Sequence, residues 1–334
     1  MLISFFIFCI VLFLYLHVQF HLKTSNDLEI FEIEQASKDR MEEICDFRQP
    51  VLFDLEEEQY KIVQATKKDV LLEKYAVFEI KIREKEDNNV NIDVPLQLGK
   101  ASKLFQEDKK ANYFSENNSD FLSETGVLKM IQQHDEYLRP VFLSQCLYDV
   151  TFASENTTTP FRYHLNYRNY YMVTQGALVV KLSPPKSSKY LYYENDYENF
   201  EFKSLIDPWN PQSKFQDDFD KIKCLEVTLV PGKCFYIPAY WWYSFKFGSN
   251  ASVTSLCYRT YMNTVAISPQ IGMYYLQNQN VQHQIVKKMN MNLTNNHNQN
   301  EIHSQNNNED DDVKDDKVEE IISQDDEKNE VIEI

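Results

Sequence analysis

The sequence predicts an α+β chain, mainly β, in which helices lead into an antiparallel barrel or jelly roll. Three observations predict it. Helical patterning dominates the part before Pro140; about eight short runs rich in Tyr, Phe and β-branched residues follow; and turn formers separate several of those runs. Only six glycines occur in the chain, and none forms a phosphate-binding loop.

The first element is apolar. Residues 2–16 are interrupted only by Ser4, and the run weakens through Phe20. Roughly 15–19 residues is the short limit for a membrane-spanning helix. No Lys or Arg precedes the run and no A-x-A-like site follows it. Residues 1–22 are therefore expected as a transmembrane anchor, with a cleaved signal and a buried core helix as the alternatives. Lys23, Lys38 and Arg40 follow the anchor, so positive-inside counting makes the chain a single-pass membrane protein with its main domain on the cytosolic side.

Residues 23–40 read as a juxtamembrane linker, 41–268 as the folded domain, 269–289 as a C-terminal helix and 290–334 as a tail. The tail is rich in Asn, Gln and acid and poor in aromatics, so it is expected to be disordered: it cannot bury enough apolar surface to offset its ordering entropy. A solvated tail and an acidic segment for a protein partner are both open. The net charge of −17 is largely a property of this tail, since Glu301 to the end carries 14 acidic residues against three lysines. No basic stripe is present, so no nucleic-acid partner is expected. Cys9 lies in the anchor; Cys45, Cys146, Cys224, Cys234 and Cys257 show no C-x-x-C spacing, so neither a zinc knuckle nor a disulfide framework is indicated.

Within the domain, residues 68–75 look helical and VFEIKIR (residues 77–83) alternates like an edge strand. LGKASKLFQED and ETGVLKMIQQHDEYL read as amphipathic helices, the second ended by Pro140; His134 and Asp135 are expected at its surface. The candidate strands are CLYDVTFAS, PFRYHL, NYYMVTQ, ALVVKLS, CLEVTLV, KCFYIP, WWYSFKF and SVTSLCYRTYM. Gly176, Pro184-Pro185, Pro231-Gly232 and Gly248 punctuate them. YLYYENDYENFEF (residues 190–202) is expected as a loop over the barrel mouth. Trp241 and Trp242 read as core, on opposite faces of their strand.

Three segments carry a family resemblance. CDFRQPVLF (residues 45–53), TTTPFRYHLNYRNYYMVTQGALVVKLSPP (residues 157–185) and LVPGKCFYIPAYWWYSF (residues 229–245) resemble, in order, the opening, core and late segments of JmjC-type cupins. Asn169, Gly176, Pro184 and Pro185 keep the family's spacing, as do Pro231, Gly232, Ile237, Pro238, Trp241 and Trp242. The resemblance implies the cupin double-stranded β-helix, a jelly roll, behind N-terminal helices. The abundance of Asn, Asp, Lys and Tyr, with the acidic tail, is similar to that of proteins from AT-rich giant-virus genomes.

Enzymes of that family hold Fe(II) with two His and one carboxylate and leave positions open for 2-oxoglutarate and oxygen. Here the triad is missing. Counted from Pro160, the H-x-D positions fall on Arg162 and His164; counted from Asn169, on Tyr163 and Leu165; a third register gives His164-Leu165-Asn166. The distal His position holds Tyr243. Where one branch of the family places a Lys for the co-substrate carboxylate, this chain has Leu178, and Lys181 lies on the opposite face of the strand.

Arg162, His164, Asn169 and Tyr243 are the pocket candidates. Arg162 and His164, two apart, share a face, and an inward Arg demands a partner. That face makes a hydrogen-bonded structural network, an anion pocket for a carboxylate, phosphate or sugar, or an unusual metal site. The resulting expectation is a binding or structural module with no cofactor and no catalytic residue. The alternative is an Fe(II)/2-oxoglutarate-dependent hydroxylase with an atypical metal site. A small anionic ligand, a protein partner and the membrane are the partners the sequence suggests.

Overall fold

The computed structural model describes residues 2–34, 36–85, 93–197 and 199–283. The N-terminal part runs α1 (Leu2–Leu22), β1 (Phe31–Ile33), α2 (Lys38–Cys45), β2 (Val51–Asp54), α3 (Glu57–Ala65), α4 (Lys68–Tyr75), β3 (Glu79–Glu84), β4 (Val94–Gln97), α5 (Leu98–Glu107), β5 (Tyr113–Ser115), α6 (Ser119–Glu124) and α7 (Val127–His134). The β half follows as β6 (Leu143–Ala153), β7 (Arg162–Tyr163), β8 (Arg168–Gln175), β9 (Leu178–Ser183), β10 (Tyr193–Asp196), β11 (Glu201–Ser204), α8 (Gln216–Phe219), β12 (Leu225–Leu229), β13 (Lys233–Tyr236), β14 (Trp242–Phe247) and β15 (Ser252–Thr260). It closes with α9 (Tyr261–Ala266) and α10 (Ser268–His283).

The strands form two sheets, ordered β1-β2-β13-β8-β15-β6-β5-β3-β4 and β10-β11-β7-β14-β9-β12. All pairings are antiparallel except β1 with β2. Strand parity sorts the core. On β8, Tyr170 and Met172 face outward with Tyr258 and Leu256 of β15, under Ile62 of α3, Leu71 of α4 and Ile131 of α7. Tyr171 and Val173 face inward, against Leu178, Val180 and Phe245 of the second sheet. With both faces covered, β8 is buried from Arg168 to Thr174, which explains why its sequence is nearly continuous rather than alternating. Trp241 and Tyr243 enter the inner cluster, whereas Trp242 packs with Phe161 and Leu191 outside it, as their consecutive positions require.

Turns hold the strands in register. Gly176, between β8 and β9, has φ +72°, and a Cβ there would lie 2.7 Å from the Ser249 carbonyl oxygen. Gly232 at φ +111° closes the turn from β12 to β13.

Several expectations need correction. VFEIKIR forms β3, but the edge belongs to β4, where Pro95 is tolerated because an edge strand can spare an N–H. The helix expected over ETGVLKMIQQHDEYL starts only at Val127, after Gly126 at φ +75°, and stops at His134, short of Pro140. Asp135 is not a surface residue. It is fully buried, paired with Arg139 at 2.7 Å and accepting hydrogen bonds from Tyr148 at 2.5 Å and Tyr258 at 2.7 Å. The stretch expected as a linker supplies β1 and the start of α2. The mouth loop contains a hairpin, β10–β11, which joins the second sheet through β7. The C-terminal helix begins at Ser268; its expected continuation to residue 289 and the tail lie outside the described residues.

Candidate functional site

The inner face changes character along the barrel. At the end marked by Gly176 it is apolar; at the other end a cavity of about 850 Å³ opens, lined among others by Glu116, Asp149, Arg162, His164, Tyr171, Tyr243 and Arg259. The elements dictate the grouping. Arg162 on β7 stands directly opposite Tyr243 on β14, and His164 shares the Arg162 face two residues on. Tyr171 comes from β8 and Arg259 from β15, and both line the cavity.

A hydrogen-bond chain runs across the mouth. The Tyr171 hydroxyl donates to the Tyr243 oxygen at 3.0 Å, and Tyr243 in turn hydrogen-bonds His164 Nε2. Tyr243 accepts from Tyr171, which leaves its own proton available to Nε2; in that arrangement the neutral imidazole carries its proton on Nδ1. Burial, reinforced by the Arg162 cation, lowers the His164 pKa to about 3, so the ring is neutral. Burial likewise raises Tyr243 to about 12, so the phenol stays protonated.

Beside this chain lies an ion layer. Arg162 grips Glu116 with both terminal nitrogens, at 2.9 and 2.6 Å, and its guanidinium lies 5.8 Å from the Tyr243 ring centre. Arg83 holds the same carboxylate at 2.9 Å and reaches Glu201 at 2.7 Å and Asp93. Burial alone would raise the Glu116 pKa; the two guanidiniums outweigh it and hold the carboxyl at about 2. A second cavity, of about 460 Å³, lies along the same layer and shares Glu116, Arg162 and Glu201 with the first.

Three charged groups of the cavity remain. Lys81 pairs with Asp120 at 2.8 Å. Asp149 accepts backbone N–H bonds from Asn117 at 2.8 Å, Asn118 at 2.6 Å and Val150 at 2.9 Å, yet burial, with the neighbouring Glu116 charge, pushes its carboxyl up to about 7. Arg259 spends Nε on Asn166 at 2.6 Å and one terminal nitrogen on Gln145 at 3.1 Å, and its guanidinium lies 4.8 Å from the Phe200 ring centre. No carboxylate of the described residues pairs with Arg259, and burial lowers its pKa.

These donors do not fit an iron triad. His164 Nε2 is hydrogen-bonded to Tyr243, the Glu116 oxygens are held by two arginines, and Asp149 is wrapped by three N–H groups. Among the described residues no group of three His, Cys, Asp or Glu side chains comes together. Co-substrate recognition through Lys181 is also ruled out by placement. That side chain pairs with Glu226 at 2.9 Å and donates to the Pro208 carbonyl at 3.0 Å, away from the cavity.

Of the four pocket candidates, three meet: Arg162, His164 and Tyr243. Asn169 stands apart, in the barrel wall, where its amide donates to Ile237 at 3.1 Å and Asn166 at 3.3 Å. Sequence reasoning missed Glu116 and Arg259. Glu116 sits just past β5, among helices, and nothing local marks it as a partner of Arg162, 46 residues on. Arg259 was within reach, because alternation along SVTSLCYRTYM puts it on the face of Val253 and Cys257.

The family model described as "Cupin-like domain" matches residues 36–254. No curated protein matches the chain.

Proposed function

Since this chain belongs to the cupin-like domain family, we propose that it is a membrane-anchored binding module whose barrel cavity takes a small anion at Arg259 in place of oxygenase chemistry. One observation carries the reading: among the described residues no carboxylate pairs with Arg259, while the positions that would hold iron are committed to protein partners. An arginine facing a half-enclosed cavity without a counter-charge favours a carboxylate or phosphate, which its planar fork matches. Arg162, the cation suggested by sequence, is neutralised by Glu116 and serves to shape the wall.

Anchoring rests on α1, whose 21 residues have a mean hydropathy of 2.3 over the best window and none of that window buried. Lys23, Lys38 and Arg40 beyond it orient the domain to the cytosol. The test uses the full chain in phosphatidylcholine nanodiscs, titrated calorimetrically with inorganic phosphate and with 2-oxoglutarate, alongside elemental analysis after iron loading. Phosphate binding that Arg259→Gln abolishes is the expected result. Stoichiometric iron with 2-oxoglutarate turnover lost in His164→Ala overturns the reading. So does the absence of any anion binding, which leaves a purely architectural barrel.

A further inference from the structure

We infer that the surface formed by α9 and the segment around Phe142 is a membrane-seating face, which lies in the headgroup layer of the bilayer that α1 crosses. The inference rests on α1 being a span, as proposed above, and on four further observations.

The first is a joint. The last turn of α1 is built into the domain. His21 is buried, its Nε2 is 3.1 Å from the Thr260 hydroxyl, and its ring lies 5.0 Å from that of Tyr167. Thr260 is the N-cap of α9, with its hydroxyl also accepting the Asn263 N–H at 3.1 Å. Arg48, buried, aims a terminal nitrogen at the Phe20 carbonyl at 3.5 Å, where a cation suits a helix C-terminus, and its guanidinium lies 5.2 Å from the Phe20 ring centre and 4.7 Å from that of Tyr167. The helix therefore cannot swing freely on the domain.

The second is depth. His21 lies five positions beyond Leu16, the end of the continuous apolar run, about 7.5 Å of helix at 1.5 Å per residue. The headgroup region adds about 5–8 Å on each side of the hydrocarbon core. An element bonded to the His21 turn lies at that level, and α9 is that element.

The third is what this surface exposes. Phe142 is 80% exposed and Tyr261 62%, with Val141 and Val265 also exposed. Phe142 and Tyr261 are neighbours, since the Tyr261 N–H donates to the Phe142 carbonyl at 3.0 Å, and Val265 lies one turn along α9 from Tyr261. Phe142 adopts φ +55°, a costly conformation for an aromatic residue, at the point where its ring stands in the open.

The fourth is charge. In a chain that is 25% charged, neither residues 140–144 nor any position from Thr260 to His283 holds Asp, Glu, Lys or Arg. A solvent-facing surface would carry them; an apolar and aromatic surface without charge suits the membrane interface.

The test is photolabelling of the full chain in phosphatidylcholine nanodiscs containing a phosphatidylcholine with a diazirine high on the acyl chain, with adducts mapped by mass spectrometry. The expected result is labelling of α1 and of the peptides carrying Phe142 and Tyr261, and none on β12. Labelling of α1 alone overturns the seating face and leaves the span intact. Labelling of neither overturns the span reading with it. Two copies of the chain in one nanodisc with the Phe142 peptide unlabelled also overturn the proposal, since they assign the face to self-association. In the Phe142→Asp/Tyr261→Asp chain, labelling of those two peptides should be lost while α1 labelling stays at the wild-type level. If that chain fails to fold, the wild-type map still decides.

Discussion

At the end of the barrel where β8 turns into β9, the inward side chains are Val173, Leu178, Phe247 and Val253; at the other end of the same strands they are Tyr171, Tyr243, Cys257 and Arg259. The first end is closed by packing. Leu178 stands opposite Phe247 and Val173 opposite Val253, all buried, and each such side chain contributes about 1.5–3 kcal/mol by leaving water. The second end is closed by charge and hydrogen bonds, with Glu116 between Arg83 and Arg162 as its centre. An apolar end is held by volume and shape, so it tolerates apolar exchanges that conserve volume. A charged end does not, because the Arg83 and Arg162 guanidiniums need the Glu116 carboxylate in place.

The largest expected effect separates the two ends. Glu116→Gln leaves two buried guanidiniums without their shared anion and should cost about 3–5 kcal/mol, read from urea denaturation. It also turns the Arg162 charge toward the cavity, so phosphate affinity should rise while stability falls. A loss below about 1 kcal/mol would mean that the ion layer is solvated and that the contrast between the ends is wrong. At the apolar end, Leu178→Ala should cost about 2–5 kcal/mol through the lost burial and the cavity left behind. Phosphate binding should be untouched there, and a parallel loss of binding would show that the two ends are mechanically one.

The same contrast governs what the sequence discloses. The candidate strands follow from residues that repeat with period two and from turns such as Pro231-Gly232, so the barrel was legible, together with the shared face of Arg162 and His164 beside Tyr243. Burial by long-range pairing was not legible. Asp135 looks like a polar helix end and is buried by tyrosines 13 and 123 residues away, and β4 is hidden by Pro95 at an edge that local pattern cannot assign. Glu116 belongs to the same class, a carboxylate whose meaning lies in two arginines from other strands.

The smallest effect tests whether the polar end is held neutral at His164. With its folded pKa lowered from 6.5 to about 3, the ring stays unprotonated while the unfolded chain takes up a proton below about 6.5. The stability this represents is present above pH 6.5 and drains away as pH falls from there toward 3. At pH 5.5 the loss is at most about 1.4 kcal/mol. Two neighbours act differently. Asp149, raised to about 7, gains stability on acidification across part of the same range, and Glu116, lowered to about 2, loses it only below about 4.5. Both remain in His164→Gln, so the difference between the two chains isolates the imidazole. Denaturation midpoints measured from pH 7.5 to 5 should fall more steeply in the wild type than in His164→Gln. Parallel profiles would mean that His164 protonates freely in the folded chain, that Tyr243 does not lock its Nε2, and that the nitrogen is open to another ligand.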